Sequence, residues 1–256
     1  MRKPLMAGNW KMHFNHLEAI HLVQKLAFTF NDEDYDTVDI AVMPPFTSLR
    51  SVETLIHGDG LKLQFGAQDV SAIESGAMTG EVSASMLSKL GCHYVIVGHS
   101  ERRAHHLESD ELVSNKAAQA LSHSITPIIC VGEPLEVRKQ GTHVQYTLTQ
   151  VENSLSGLSA EQIATIVIAY EPVWAIGTGE VATAEDAEEV ASAIRKWLSN
   201  KYTSKVSEKT RILYGGSVKA SNIAGIMKGA NVDGALIGGA SLDPDEFVAI
   251  CRFRLH

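Results

Sequence analysis

Several strand-like runs in this chain end in groups that could move a proton on a small polar molecule. Ile166-Val167-Ile168-Ala169-Tyr170 is β-branched and aromatic enough for a buried strand, and Glu171 is the first charged residue after it. Pro172 biases Glu171 towards extended backbone angles, so the acid is held stiffly where the strand meets solvent. Val173, Trp174 and Ile176 follow with no strand or helix period, bounded by Gly177 and Gly179. The segment reads as a lid: apolar enough to exclude water, with glycines that allow a close backbone approach to a ligand. A lone strand-end glutamate is ordinarily half of an ion pair, but the Trp-bearing, glycine-bounded segment beside it favours a general base. Gly177-Thr178-Gly179-Glu180-Val181-Ala182 also fits the dinucleotide pattern G-x-G-x-x-A. Six residues separate it from the strand, however, and Trp197-Leu198-Ser199-Asn200 occupies the window for the required acid. A nicotinamide site is excluded there.

His99 ends another apolar run, His93 to Val97, and precedes Ser100-Glu101-Arg102-Arg103, a helix start with Ser100 near the cap. The helix-start dipole disfavours a protonated imidazole. A neutral ring there can donate a hydrogen bond to a carbonyl oxygen. His13, His16, His21, His105 and His106 read instead as surface or structural residues, because the close pairs lack further metal ligands at suitable spacing. Asn9 and Lys11, after the first run, offer an amide and an ammonium within three residues. A Schiff-base role for Lys11 requires desolvation.

Gly215-Gly216-Ser217 and Gly238-Gly239 follow the last two runs. Paired glycines at adjacent strand ends expose backbone N–H groups, and a following helix start adds partial positive charge. One such pair is compatible with a tight turn alone, whereas two favour a phosphate site, with the Ser217 hydroxyl as a further donor. No G-x-x-x-x-G-K-[ST] occurs, so a nucleoside triphosphate is not implied.

These groups need a scaffold that gathers strand ends. Eight apolar runs recur: Leu5 to Ala7, Val38 to Met43, Leu61 to Phe65, His93 to Val97, Thr126 to Cys130, Ile166 to Tyr170, Arg211 to Tyr214 and Asp233 to Ile237. Amphipathic stretches lie between them, such as Leu17 to Phe30, Val82 to Leu90, Glu111 to Ser122, Ala184 to Asn200 and Asp243 to Phe253. With 256 residues and eight units, each βα repeat takes about 32 residues, which predicts a single-domain (β/α)8 barrel over residues 1–256. Chemistry then belongs at the C-terminal ends of the strands, where all of the groups above fall.

The formal net charge of −8 argues against a nucleic-acid or anionic-membrane partner, so an anionic substrate must be attracted locally. Cys92, Cys130 and Cys251 are an odd number without C-x-x-C spacing and read as reduced, buried residues. The first residues lack a long apolar signal region, and no apolar run nears the ~20 residues needed to span a bilayer. A cytoplasmic protein is expected.

Four motifs carry a resemblance that covers essentially the whole chain: Gly8-Asn9-Trp10-Lys11-Met12, Val97-Gly98-His99-Ser100-Glu101-Arg102-Arg103, Ala169 to Gly179, and Tyr214-Gly215-Gly216-Ser217-Val218. In order and type they resemble the signatures of the triosephosphate isomerase family. The resemblance implies interconversion of dihydroxyacetone phosphate and glyceraldehyde 3-phosphate through an enediolate, without metal or organic cofactor. It also implies Glu171 as base, His99 as electrophile, Asn9 and Lys11 as substrate contacts, and Gly177, Ser217, Gly238 and Gly239 as phosphate contacts. Glu101 resembles the family's supporting acid, and Cys130 a structural neighbour of the site. A glutamate base working with a neutral histidine is this family's own known arrangement, so that pairing comes with the resemblance.

Two departures stand out. His13 replaces the asparagine of the family pattern near the subunit contact, and Glu180-Val181-Ala182 replaces its Lys-Thr-Ala lid hinge. The stretch Gln68 to Glu81 resembles the long loop through which family members dimerise, so a homodimer is expected. Two other readings stay open on residues alone: a phosphate-binding lyase using Lys11 as an imine, and a catalytically silent binding barrel.

Overall fold

The computed structural model describes residues 2–176 and 182–255. Eight parallel strands close into a barrel in sequential order: β1 (Leu5–Asn9), β2 (Asp39–Met43), β3 (Gln64–Ala67), β4 (Tyr94–Val97), β5 (Thr126–Val131), β6 (Val167–Tyr170), β7 (Arg211–Tyr214) and β8 (Gly234–Ile237). β8 pairs back onto β1, from Leu5 opposite Gly234 to Gly8 opposite Ile237, so no edge strand remains open. The expected fold is present.

Alternation along each strand divides the core. Leu5, Ala7, Ala41, Met43, Ile96, Ile128, Cys130 and Leu213 fill the barrel interior, while Met6, Val42, Val97, Ile129 and Ile168 pack outwards against the helices. Each large apolar side chain so buried stabilises the fold by about 1.5–3 kcal/mol. The interior is packed, so ligands are confined to the rim.

Helices begin where side chains can cap them. Asn15 accepts from the Leu17 and Glu18 N–H groups ahead of the helix His16–Thr29, and Thr183 and Asp186 form a capping box ahead of Ala184–Lys201. The third strand is displaced from the expected Leu61 to Phe65. Leu61 donates to the Ile56 carbonyl and closes the preceding helix, so pairing starts only at Gln64. The helix expected over Asp243 to Phe253 is shorter, Pro244–Cys251, because Asp243 caps it and Pro244 is its first residue. The segment after Glu171, read as lacking helical period, begins as a short 3₁₀ turn over Val173–Ala175.

Candidate active site

The strand ends converge on a cavity of about 570 Å³, lined by Asn9, Lys11, His99, Glu171, Ser217, Gly238 and Gly239, among others. Every described residue singled out in the sequence for substrate contact is on its wall, and so is Glu101. Gly177 and the hinge residues Glu180 and Val181 lie outside the described residues.

His99 and Glu171 meet at the centre. Nε2 of His99 is 3.0 Å from Oε1 of Glu171, and both side chains are almost fully buried. The Ser100 N–H donates to the other carboxylate oxygen at 2.9 Å. His99, not Ser100, caps the helix Ser100–His105: its Nδ1 accepts the Glu101 N–H at 3.2 Å. A nitrogen that accepts a hydrogen bond carries no proton, so the neutral ring holds its hydrogen on Nε2 and points it into the site. Burial opposes charge on the ring. The adjacent Glu171 carboxylate, and then Glu101, outweigh burial and draw the His99 pKa upwards while the acid rests against the ring. Burial likewise opposes the Glu171 charge. The attraction and hydrogen bond of His99, then the Ser100 N–H, outweigh it and hold that carboxyl below the usual glutamate range. Glu171 is therefore ionised at neutral pH.

Two glycines make room for this acid. A Cβ on Gly132 would lie 1.6 Å from the Glu171 carbonyl oxygen, and one on Gly215 would lie 2.9 Å from its Cγ. The Gly215 N–H is already committed to the Tyr170 carbonyl at 2.7 Å. The expectation that the Gly215-Gly216 pair offers its amides to an anion therefore needs correcting at Gly215, where glycine supplies space.

Lys11 adopts a left-handed backbone, φ +52°, uncommon for a residue with a side chain. Its N–H donates to Asn9 Oδ1 at 3.0 Å, and Gln68 Nε2 donates to its carbonyl and to that of Met43, both at 2.8 Å. These bonds offset a strain of order 1–3 kcal/mol. Lys11 Nζ sits 2.6 Å from Glu101 Oε1 and 3.9 Å from where a Gly238 Cβ would be. It is an ion-paired ammonium beside the candidate phosphate loops, a poor start for the neutral amine that an imine requires. Gln68, the first residue of the stretch expected to dimerise, turns inward instead and braces Lys11.

The loop after β8 curls into a 3₁₀ turn, Gly239–Leu242, and the Gly238 carbonyl is occupied by the Ser241 N–H and hydroxyl at 2.8 and 2.7 Å. That carbonyl is kept from facing an anion. Cys130 is fully buried beside the site. Burial, and then Glu171, push its thiol well above the ordinary range, so it stays a neutral packing residue.

Sequence reasoning missed Glu133. It is fully buried, and its Oε1 accepts from the Tyr170 hydroxyl at 3.0 Å and from Trp174 Nε1 at 2.7 Å, while Arg138 lies over the Trp174 ring. The base of the lid-like segment is thereby fastened to β5. Nothing local in Val131-Gly132-Glu133-Pro134 announces the role. Among the described residues no cluster of three or more His, Cys, Asp or Glu is disposed to hold a metal ion.

A closed eightfold barrel that gathers a buried carboxylate, a histidine, an ammonium and two glycine-rich loops at its C-terminal rim defines a barrel enzyme built for proton transfer on a small anionic substrate. The family model described as triosephosphate isomerase matches residues 4–254. The chain is 61% identical over 253 residues to the triosephosphate isomerase of Streptomyces coelicolor, covering 99% of this chain and 98% of that one. It is 60% identical to that of Saccharopolyspora erythraea and 59% identical to that of Mycobacterium tuberculosis, each over 249 residues, 97% of this chain and 95% of theirs. The chain belongs to the triosephosphate isomerase family.

Proposed function

We propose that this chain, as a single barrel domain, interconverts dihydroxyacetone phosphate and glyceraldehyde 3-phosphate, with Glu171 as base, His99 as electrophile, and Asn9 and Lys11 as substrate contacts. The observation that carries the assignment of roles is the 3.0 Å approach of a proton-bearing imidazole nitrogen to an ionised carboxylate, on the wall of a cavity that also holds Ser217, Gly238 and Gly239. At rest each group satisfies the other. Substrate takes the place of both partners: its carbonyl oxygen accepts the hydrogen on His99 Nε2, and Glu171 removes a proton from the neighbouring carbon. The electron pair left behind forms the enediolate, whose oxygen is stabilised by His99 and by the Lys11 ammonium. A proton also passes from the hydroxyl on the first carbon to the oxygen on the second, by way of the His99 ring, and Glu171 returns the carbon-bound proton to the second carbon, which completes the isomerisation without net redox change.

The phosphate rests on Ser217, Gly238 and Gly239, and the family resemblance adds Gly177, outside the described residues, to that set. Glu133 holds Trp174 and Tyr170 where the segment after Glu171 begins. Excluding water protects an intermediate that would otherwise lose phosphate. The test is hydrogen exchange: in deuterium oxide the wild-type protein must introduce deuterium at carbon into dihydroxyacetone phosphate. Protein that consumes the substrate without exchange, or that traps an imine with borohydride, would overturn the reading.

The Glu171 shift sets a pH expectation. A base whose pKa lies below the usual glutamate range stays ionised on acidification through about pH 6. Glu171 should therefore not set the acid limb of kcat/KM, which is left to the second ionisation of the substrate phosphate, at about 6, and to protonation of His99, whose pKa the neighbouring carboxylates raise. Replacing the substrate by one whose phosphoryl group ionises at a different pH should move the limb with it. A limb that stays in place would assign the ionisation to His99 alone.

The homodimer is proposed through the loop after β3. Its base is closed by the Ser71 N–H to the Val82 carbonyl at 2.8 Å, and its tip exposes about half of Ile73 and Met78. A second cavity of about 490 Å³, lined by Met12, Phe46, Gln68, Arg102 and His105, adjoins the catalytic wall and shares Lys11 and His99 with it. Met12 there is 94% exposed and lines the cavity with the 41% exposed Phe46, an apolar pair that a second copy would cover. Seating the loop of a second copy in that cavity covers both apolar surfaces and braces Lys11 from behind. Sedimentation should give about twice the 27.7 kDa chain mass, and Met78→Glu should shift it towards one. A wild type that sediments as a monomer at micromolar concentration would rule this out. No helix of the described residues is long and apolar enough to cross a membrane, and a metabolic enzyme of this kind fits a cytoplasmic location.

A further inference from the structure

We propose that Glu246 is a positioning residue for the phosphate end of the site, acting as a hydrogen-bond strut between the loops after β7 and β8. The inference rests on the reading that Ser217, Gly238 and Gly239 hold the substrate phosphate. Glu246 lies in the helix Pro244–Cys251, which follows the β8 loop, and its N–H is capped by Asp243 Oδ1 at 3.0 Å. Its side chain lines the catalytic cavity and reaches across to the neighbouring unit, where Oε1 accepts the Ala220 N–H at 2.8 Å. Ala220 is the first residue of the helix Ala220–Ile226, directly after the β7 loop. No ion pair accompanies Glu246 among the described residues.

The β7 loop is shaped internally by Asn222, whose Oδ1 accepts the Lys219 N–H at 2.8 Å and whose Nδ2 donates to the Ser217 carbonyl at 3.0 Å. Those bonds set the form of the turn but not its distance from the β8 loop. Strand pairing of Tyr214 with Ala235 sets the spacing below the rim, and Glu246 extends it to the loops by joining the two units across the rim. One phosphate group must meet donors from both loops at once, so their spacing has to be held to a fraction of an ångström.

A carboxylate beside a dianion site carries an electrostatic penalty, so its presence there calls for a compensating role. Accepting a backbone N–H at a helix start is one that a charged acceptor performs well. Glutamine keeps the acceptor oxygen and loses the charge, whereas alanine loses both. The two variants therefore separate the strut from the charge.

The experiment measures three quantities for wild type, Glu246→Ala and Glu246→Gln. These are the competitive inhibition constant of inorganic phosphate, kcat/KM for glyceraldehyde 3-phosphate, and kcat/KM for unphosphorylated glyceraldehyde. Glu246→Ala should weaken phosphate inhibition about five- to tenfold and lower kcat/KM for the phosphorylated substrate by a similar factor, as expected for loss of one positioning hydrogen bond. Turnover of glyceraldehyde should stay within about twofold, because that substrate has no phosphate to place. Glu246→Gln should match wild type in kcat/KM for both substrates and bind inorganic phosphate as tightly as wild type or more tightly. The proposal is overturned if alanine leaves phosphate inhibition unchanged, if glutamine fails as alanine does, or if alanine damages glyceraldehyde turnover equally. Wild-type protein that inorganic phosphate does not inhibit competitively would overturn the underlying phosphate reading as well, a result distinct from the first three.

Discussion

Glu171→Gln is expected to lower kcat by roughly 10²- to 10⁴-fold, the range over which a positioned general base contributes. The substitution keeps the size of the side chain but not its pattern of acceptors. In the wild type one carboxylate oxygen faces His99 Nε2 at 3.0 Å and the other accepts the Ser100 N–H at 2.9 Å. Both neighbours are donors, and an amide offers only one oxygen, so its NH₂ must confront one of them. Loss of the carboxylate also removes the main influence that raises the His99 pKa, leaving burial to push the ring towards its neutral form. The proposed electrophile thus survives in the variant and the proposed base does not. Hydrogen exchange into dihydroxyacetone phosphate should collapse together with kcat, while inorganic phosphate should still bind within about threefold of wild type, since its contacts lie elsewhere. Exchange at the wild-type rate would remove Glu171 from the role of base.

Lys11→Met is expected to lower kcat/KM by about 10²- to 10³-fold, comparable with removing a charge-stabilising donor from other active sites. The chain carries a formal net charge of −8, and the catalytic cavity is lined by Glu101, Glu171 and Glu246 before the phosphate enters. Lys11 is the cation placed against both the Glu101 carboxylate and the Gly238 loop. Its loss leaves Lys219 as the other lysine on the cavity wall against three carboxylates, and leaves Glu101 without its lysine partner. Two measurements distinguish this from a loss of structure. Adding Glu101→Gln to Lys11→Met should recover part of the lost affinity for phosphate, because the stranded carboxylate is then neutral. Raising ionic strength should narrow the gap between wild type and variant through screening. An inhibition constant for phosphate within about twofold of wild type would show that the ammonium does not supply the attraction.

Length and strand-like periodicity point to the barrel, and the residues after the strand-like runs point to the groups that line its cavity. Both follow from local chemistry: a buried parallel strand must be apolar, and the first polar residue beyond it is delivered to the rim. Asn9, His99, Glu171, Ser217 and Gly238 are legible for that reason. Local pattern could not say that His99 rather than Ser100 caps its helix, that Gly132 must lack a side chain to admit Glu171, or that Gln68 braces a left-handed Lys11. The tertiary structure also decided that Glu133 holds Trp174 and that Glu246 reaches Ala220. These partners are separated by 41 and 26 positions, and Ser100 and Glu171 by 71. Contacts of that range leave no period in the sequence; closure of the barrel brings them together.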